Sequence, residues 1–160
     1  MSPLGQQQAS AAADELAASL SSRFNLVSSP LRRARETADA LASRLDADVR
    51  VIQAFQEIPA PVPMSERQDW LQSIMKLRWQ DVESGVGDWR SEIFRNLESL
   101  GQPSVIFTHF MVINAIVSRL SGKPEIVCCL PDNASITHVR KTDGQFQLVA
   151  LGRQIETRVN

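Results

Sequence analysis

The chain has 160 residues, 43% of them hydrophobic and 22% charged, so it is long enough to bury one hydrophobic core, and we expect a single domain over residues 1–160. Its 17 basic and 18 acidic residues nearly cancel, so charge favours neither a nucleic acid nor an anionic membrane as partner. It has no membrane-spanning apolar run, no secretory signal, and two adjacent cysteines without metal-ligand spacing. We therefore expect a cytoplasmic protein without a metal or a cofactor.

The first part of the chain alternates helical and strand patterns. The predicted elements are a helix over residues 6–22, a strand at 24–27, a helix over 31–45 and a strand at 49–52. Three prolines between residues 59 and 63 then predict a rigid loop. This alternation is typical of a layered α/β domain with a parallel sheet.

The second part ends in a hairpin. Helices are predicted over residues 65–82 and 88–100, with a turn at 84–87 between them, followed by a buried strand at 104–108 and a helix over 110–120. Two last strands at 135–140 and 146–151 flank a Thr-Asp-Gly turn. The three tryptophans of this region fit core packing and a lid over a pocket equally well; they are Trp70, Trp79 and Trp89.

Three polar residues follow the predicted parallel strands. Arg33 begins the helix after the first strand, Glu57 follows the second, and His109 follows the third. Carboxyl ends of parallel strands meet at one edge of a sheet, so we expect these side chains close together. An arginine at a helix N-terminus binds phosphoryl oxygens, a carboxylic acid protonates a leaving alkoxide, and a histidine donates to or attacks a phosphoryl group. The pattern predicts phosphoryl-transfer chemistry.

Four motifs resemble those of the histidine phosphatase superfamily, in the family's order. Residues 29–38, SPLRRARETA, resemble its S-P-L-x-R-A signature, and residues 2–9, SPLGQQQA, resemble its entry into the first helix. Residues 108–114, THFMVIN, resemble the segment around its second active-site histidine, and residues 133–137, NASIT, its entry into the penultimate strand. The resemblance implies a three-layer α/β/α, phosphoglycerate-mutase-like fold whose mostly parallel sheet ends in an antiparallel hairpin.

The resemblance also implies roles for individual residues. Arg33 corresponds to a phosphate-binding arginine, His109 to the histidine that holds the transferring phosphoryl group, and Glu57 to the proton donor. The backbone N–H of Phe110 would lie near the phosphate. Many members have glycine at this last position, so we expect a narrower pocket with an apolar wall. The implied partner is a small phosphorylated substrate.

The family's nucleophile belongs to an R-H-G or R-H-A motif at the end of a first strand, upstream of the segment matching residues 2–9. Met1 stands where that chain would continue, so we expect an N-terminally incomplete domain without this strand, its nucleophilic histidine and the adjoining arginine. The other histidine, His138, is expected to face solvent in a late strand. A missing inner strand would leave an exposed sheet edge beside residues 104–108, through which a homo-oligomer could form.

Two functions stay open. The first is a phosphomonoester hydrolase that works through a phosphohistidine and is inactive as the 160-residue chain; the short Pro-rich segment after Glu57 favours phosphatase over mutase. The second is a pseudo-phosphatase, which keeps the anion pocket and serves as a binding or regulatory module. Ser28 and Ser29 do not predict a serine nucleophile, because neither a G-x-S-x-G elbow nor a nearby base supports one.

Overall fold

The computed structural model describes residues 1–20 and 24–155, and these form five α-helices and five β-strands. In chain order they are α1 (Pro3–Ser19), β1 (Asn25–Ser28), α2 (Arg32–Leu45), β2 (Val49–Val51), α3 (Arg67–Ile74), α4 (Ser84–Ser99), β3 (Ser104–Phe107), α5 (Phe110–Leu120), β4 (His138–Thr142) and β5 (Gln145–Ala150). Single 3₁₀ turns lie at Gln53–Phe55, Met64–Glu66 and Trp79–Asp81. Within these described ranges no helix has the length and apolar character needed to cross a bilayer.

Helix α1 begins three residues before the predicted helix because Ser2 caps it. The Ser2 hydroxyl accepts a hydrogen bond from the N–H of Gly5 at 3.1 Å, and Pro3 occupies the first helical position. Ala9 and Ala13 are buried, and α1 packs against α2. The last residues of the predicted helix, 21 and 22, lie outside the described residues.

The parallel sheet has the strand order β2-β1-β3. Leu26 of β1 pairs with Val49 of β2 on one side and with Val105 of β3 on the other. Helices α1 and α2 cover one face of the sheet, where Leu26 and Leu41 belong to one buried cluster. Helices α4 and α5 cover the other face, where Val27 joins the larger core cluster. The predicted layered α/β fold is confirmed.

The antiparallel hairpin forms a sheet of its own. Asp143 and Gly144 make its turn with φ of 52° and 76°, as the Thr-Asp-Gly run predicts. The predicted hairpin is therefore present, and in the described part of the chain β3 pairs with β1 alone, so β4 and β5 are separate from the parallel sheet. Strand β4 begins three residues after its predicted start because residues 135–137 pair with no described strand. His138 is exposed, as predicted.

Strand β3 is less buried than its apolar sequence predicts, since all four of its residues are partly exposed. One edge of β3 pairs with β1, where the N–H of Ser29 donates to the carbonyl oxygen of Phe107 at 2.9 Å. Alternation along a parallel ladder turns the backbone groups of Ile106 away from β1, and no strand among the described residues pairs with them. Strand β3 therefore presents an open apolar edge. A homo-oligomer through this edge stays a prediction.

The prediction of a helix over residues 65–82 is wrong for the second half of that range. Helix α3 ends at Ile74 because the following segment pairs instead with the loop after α5. The N–H of Trp79 donates to the carbonyl oxygen of Pro124 at 2.9 Å, and the N–H of Ile126 donates to the carbonyl oxygen of Leu77 at 3.1 Å. These contacts join residues about fifty positions apart. A helical period read within one segment does not detect them.

The turn predicted at residues 84–87 is also wrong, because these residues form the first turn of α4. Val86 is 5% exposed and extends the apolar stripe of Trp89 and Ile93 by one helical turn, so its burial favours helix despite the flanking glycines. Trp89 belongs to the larger core, and Trp70 and Trp79 pack against it. The tryptophans therefore serve core packing rather than a lid.

A buried amide ties α5 to the loop that follows it. Asn114 is fully buried, and its side-chain oxygen accepts hydrogen bonds from the N–H groups of Cys128 at 2.8 Å and Cys129 at 3.0 Å. Its amide nitrogen donates to the carbonyl oxygen of Phe110 at 3.1 Å. Cys129 is buried, as expected of a small apolar side chain.

Candidate active site

The candidate site lies at the carboxyl edge of the parallel sheet. Strands β1 and β3 are parallel neighbours, so the segments that begin at Ser29 and Thr108 leave the sheet at the same edge. The 3₁₀ turn after β2 is held there as well, because the Thr108 hydroxyl donates to the carbonyl oxygen of Phe55 at 2.8 Å. The fold thus brings the ends of three strands together, as the parallel topology predicts.

His109 is the N-cap residue of α5 and is 5% exposed. Its Nε2 lies 2.7 Å from the hydroxyl oxygen of Ser29, which also accepts the N–H of Leu31 at 3.2 Å. This contact engages Nε2 in either tautomer of the imidazole. It leaves Nδ1 without a protein partner among the described residues. The prediction that no base lies near Ser29 is therefore wrong, because folding brings an imidazole to its hydroxyl.

The His109 imidazole is held in its neutral form. Burial, followed by the positive charge of Arg33, lowers its pKa from 6.5 to about 4. At neutral pH the ring therefore carries a single proton, on one of its two nitrogens. A phosphoryl anion beside the ring would offset the repulsion from Arg33. We expect such an anion to raise the pKa of His109 again.

Glu57 lies beside the start of α5. Its Oε1 accepts hydrogen bonds from the N–H groups of Ile58 and Met111, each at 3.2 Å. Burial raises the pKa of the Glu57 carboxyl, and these two hydrogen bonds and the charges of Arg33 and Arg67 oppose that rise. A carboxyl group whose protonated form is favoured by burial suits a proton donor.

The two remaining predicted residues, Arg33 and Phe110, flank these groups. Arg33 is the second residue of α2; its side chain is exposed and has no hydrogen-bond partner in the described chain. Its positive charge contributes to the lowered pKa of His109 and opposes the rise in the pKa of Glu57. Phe110 opens α5, and its N–H has no acceptor among the described residues. The Phe110 ring packs against the larger core, which makes that wall apolar.

Two residues of this region were missed by the sequence reasoning. The sequence does not predict the contact of Ser29, whose hydroxyl oxygen lies 2.7 Å from Nε2 of His109. The feature of the sequence that could have indicated this contact is the position of Ser29, which begins the S-P-L-x-R-A-like motif immediately after β1. The sequence also gives no reason to single out Arg67, whose positive charge opposes the rise in the pKa of Glu57. It lies in a helical insertion where the sequence offers no motif. That no metal or cofactor takes part stays a prediction.

Comparisons with known proteins identify the fold and a family. The family model for the histidine phosphatase superfamily (branch 1) matches residues 1–154. Phosphoserine phosphatase of Entamoeba histolytica, solved with 3-phosphoglyceric acid, is 20% identical with a TM-score of 0.73, over 96% of this chain and 84% of that one. Mycobacterial glucosyl-3-phosphoglycerate phosphatase is 24% identical with a TM-score of 0.67, over 94% and 85%.

A third similar structure is the α-ribazole phosphatase of Shigella flexneri, which is 19% identical with a TM-score of 0.68. The match covers 98% of this chain and 86% of that chain. Identities this low establish a shared fold alone. Among curated protein sequences nothing matches.

Proposed function

Because the chain belongs to the histidine phosphatase superfamily, we propose that its site binds the phosphoryl group of a small phosphomonoester and belongs to a phosphatase that works through a phosphohistidine. The observation that carries this proposal is the meeting of His109, Glu57 and the N-terminus of α5 at one sheet edge, where the Met111 N–H donates to Glu57 and the Phe110 N–H has no acceptor among the described residues. The charge of Arg33 acts on both His109 and Glu57. The structurally similar proteins described above are phosphatases by name, which favours hydrolysis over mutase chemistry.

Each residue has a role in this proposal. Arg33 and the Phe110 N–H bind phosphoryl oxygens, because a guanidinium fork and a helix N-terminus both offer donors to an anion. His109 holds the transferring group through Nδ1, the nitrogen that Ser29 leaves free. Glu57 protonates the leaving alkoxide, for which burial prepares it by favouring the protonated carboxyl. Ser29 is a positioning residue that acts through His109.

We further propose that the residues of this sequence do not supply the nucleophile. The sequence contains two histidines, and the one outside the site, His138, is exposed on the separate hairpin. We therefore propose that the 160-residue chain binds phosphoryl groups without turning them over. The same observation supports the second candidate function, a pseudo-phosphatase whose anion pocket serves binding or regulation. A cytoplasmic location stays a prediction.

Phosphate titration followed by amide NMR tests the pocket. We expect the N–H signals of Arg33 and Phe110 to shift with a dissociation constant in the millimolar range, about 4 kcal/mol of binding. Arg33→Gln should abolish the shifts. Arg35→Gln is the matched control, since it removes the same charge from an exposed position on the same helix. Unshifted amides in the unmodified chain would refute the pocket.

Hydrolysis of p-nitrophenyl phosphate tests the proposal that the 160-residue chain binds phosphoryl groups without turning them over. The purified 160-residue chain should show no turnover above background, because a site that binds the phosphoryl group but cannot attack it loses orders of magnitude in rate. Turnover that His109→Ala abolishes would contradict the proposal that the chain lacks its nucleophile.

A further inference from the structure

The chain segment just before Glu57 has two backbone carbonyl groups that are held by side chains. The carbonyl oxygen of Phe55 accepts the Thr108 hydroxyl at 2.8 Å, and that of Gln56 accepts the indole N–H of Trp89 at 3.3 Å. Neither oxygen accepts a backbone N–H in the described part of the chain. The two donors belong to the end of β3 and to α4, so elements distant in sequence fix the position of this segment.

Thr108 makes the shorter of these two contacts, and it makes it from the position next to His109. Thr108 is half-buried and Phe55 is fully buried in the larger core, where a hydrogen bond is electrostatically stronger than at the surface. On the other side of His109, the N–H of Met111 donates to Oε1 of Glu57 at 3.2 Å. The two contacts bracket His109, because one holds the backbone before Glu57 and the other holds its side chain.

The two oxygens of the Glu57 carboxyl have different surroundings. Oε1 accepts the N–H groups of Ile58 and Met111, whereas Oε2 has no hydrogen-bond partner among the described residues. An oxygen that already accepts two N–H groups is the poorer site for a proton, so the neutral acid carries its proton on Oε2. When that proton passes to a leaving alkoxide, the electron pair of the O–H bond stays on the carboxyl group. The two N–H groups at Oε1 then stabilise the carboxylate that has formed.

We propose that Thr108 is a positioning residue, which holds Glu57 beside His109 so that Oε2 can deliver its proton to the leaving oxygen. This inference rests on the proposed phosphatase function. A proton donor must lie within hydrogen-bond reach of the atom it protonates, and a misplacement of about 1 Å can cost about a hundredfold in rate. The Thr108 hydroxyl supplies this constraint from the same strand end that carries His109.

The pKa of Glu57 reports where its carboxyl lies. Burial raises this pKa, and the hydrogen bonds to Oε1 oppose the rise, so every one of these influences depends on the same placement. Thr108→Val removes the hydroxyl and keeps the branched shape of the side chain. The pKa of Glu57 should then fall toward its ordinary value of 4.5. Thr108→Ser keeps a hydroxyl and should keep the raised pKa.

Carboxyl NMR of the 160-residue chain, followed against pH, measures these pKa values. The Met111 amide signal should follow the titration of Glu57 in the unmodified chain and in Thr108→Ser, and it should lose that response in Thr108→Val. A loss of stability alone would change neither readout in the folded protein. If Thr108→Val does not fold, Thr108→Ala provides the same comparison.

Thr37→Val is the matched control. The Thr37 hydroxyl also donates to a backbone carbonyl, that of Arg33 at 2.9 Å, but it does so within α2. This substitution should leave the pKa of Glu57 unchanged. A Glu57 pKa that stays raised in Thr108→Val, or one that falls equally in Thr108→Ser, would overturn the assignment of Thr108.

Phosphate titration separates this inference from the function on which it rests. The phosphate-dependent shift of the Phe110 amide should persist in Thr108→Val, because Thr108 is not among the groups assigned to the phosphoryl oxygens. Its loss in that variant alone would count against a role specific to Glu57. Absence of the shift in the unmodified chain would instead refute the phosphoryl pocket, whereas the pKa comparison needs no ligand and still decides the role of Thr108.

Discussion

Acid should destabilise the folded chain through His109. The pKa of the His109 imidazole is about 4 in the folded chain, against an ordinary value of 6.5. Between these pH values the unfolded chain therefore binds a proton at this ring and the folded chain does not. Stability contributed by the neutral ring is present above pH 6.5 and is lost as pH falls toward 4. Between about pH 7 and about pH 5 the loss comes to about 2 kcal/mol.

Glu57 acts with the opposite sign in part of the same range. Its pKa is raised, so the folded chain holds a proton that the unfolded chain has released, and this favours folding on the acid side. The total pH dependence therefore mixes both groups. A difference between two variants isolates the share of His109, because Glu57 is present in each.

Urea unfolding of the wild type and of His109→Gln, at about pH 7 and about pH 5, measures this difference. The wild type should lose about 2 kcal/mol more than the variant on acidification. His138→Gln, which removes an exposed imidazole from β4, controls for the loss of a histidine as such. An equal loss in the wild type and His109→Gln would refute the reasoning that a buried neutral ring lies beside Ser29 and Arg33.

Three further substitutions probe the scaffold. Asn114→Leu should cost about 2–5 kcal/mol in urea unfolding, because two N–H groups of the following loop lose their acceptor. Gly152→Ala should lower the melting temperature, since its Cβ would lie 2.8 Å from the backbone nitrogen of Ile136; an unchanged value would contradict that packing. Ser104→Lys should suppress concentration-dependent self-association in light scattering if the open edge of β3 drives it; association that persists would point to another surface.

The sequence alone determined the elements whose signals are local. Helix α5 has the predicted bounds, α2 starts one residue later than predicted, and the Asp143-Gly144 turn lies where its residue types require. Helical periodicity and positive φ are properties of consecutive residues, so a single sequence displays them. Parallel topology also allowed Arg33, Glu57 and His109 to be assigned to one edge, because strand ends converge by geometry.

Tertiary structure decided everything that depends on residues distant in the chain. Helix α3 ends where the next segment meets the loop after α5, and β3 is half-exposed because it finds one neighbour in the described chain. The contact between Ser29 and His109 joins positions 80 residues apart, and the depressed pKa of that imidazole arises from its burial in the assembled site. Burial and electrostatic coupling belong to the folded arrangement, and no pattern of neighbouring residues encodes them.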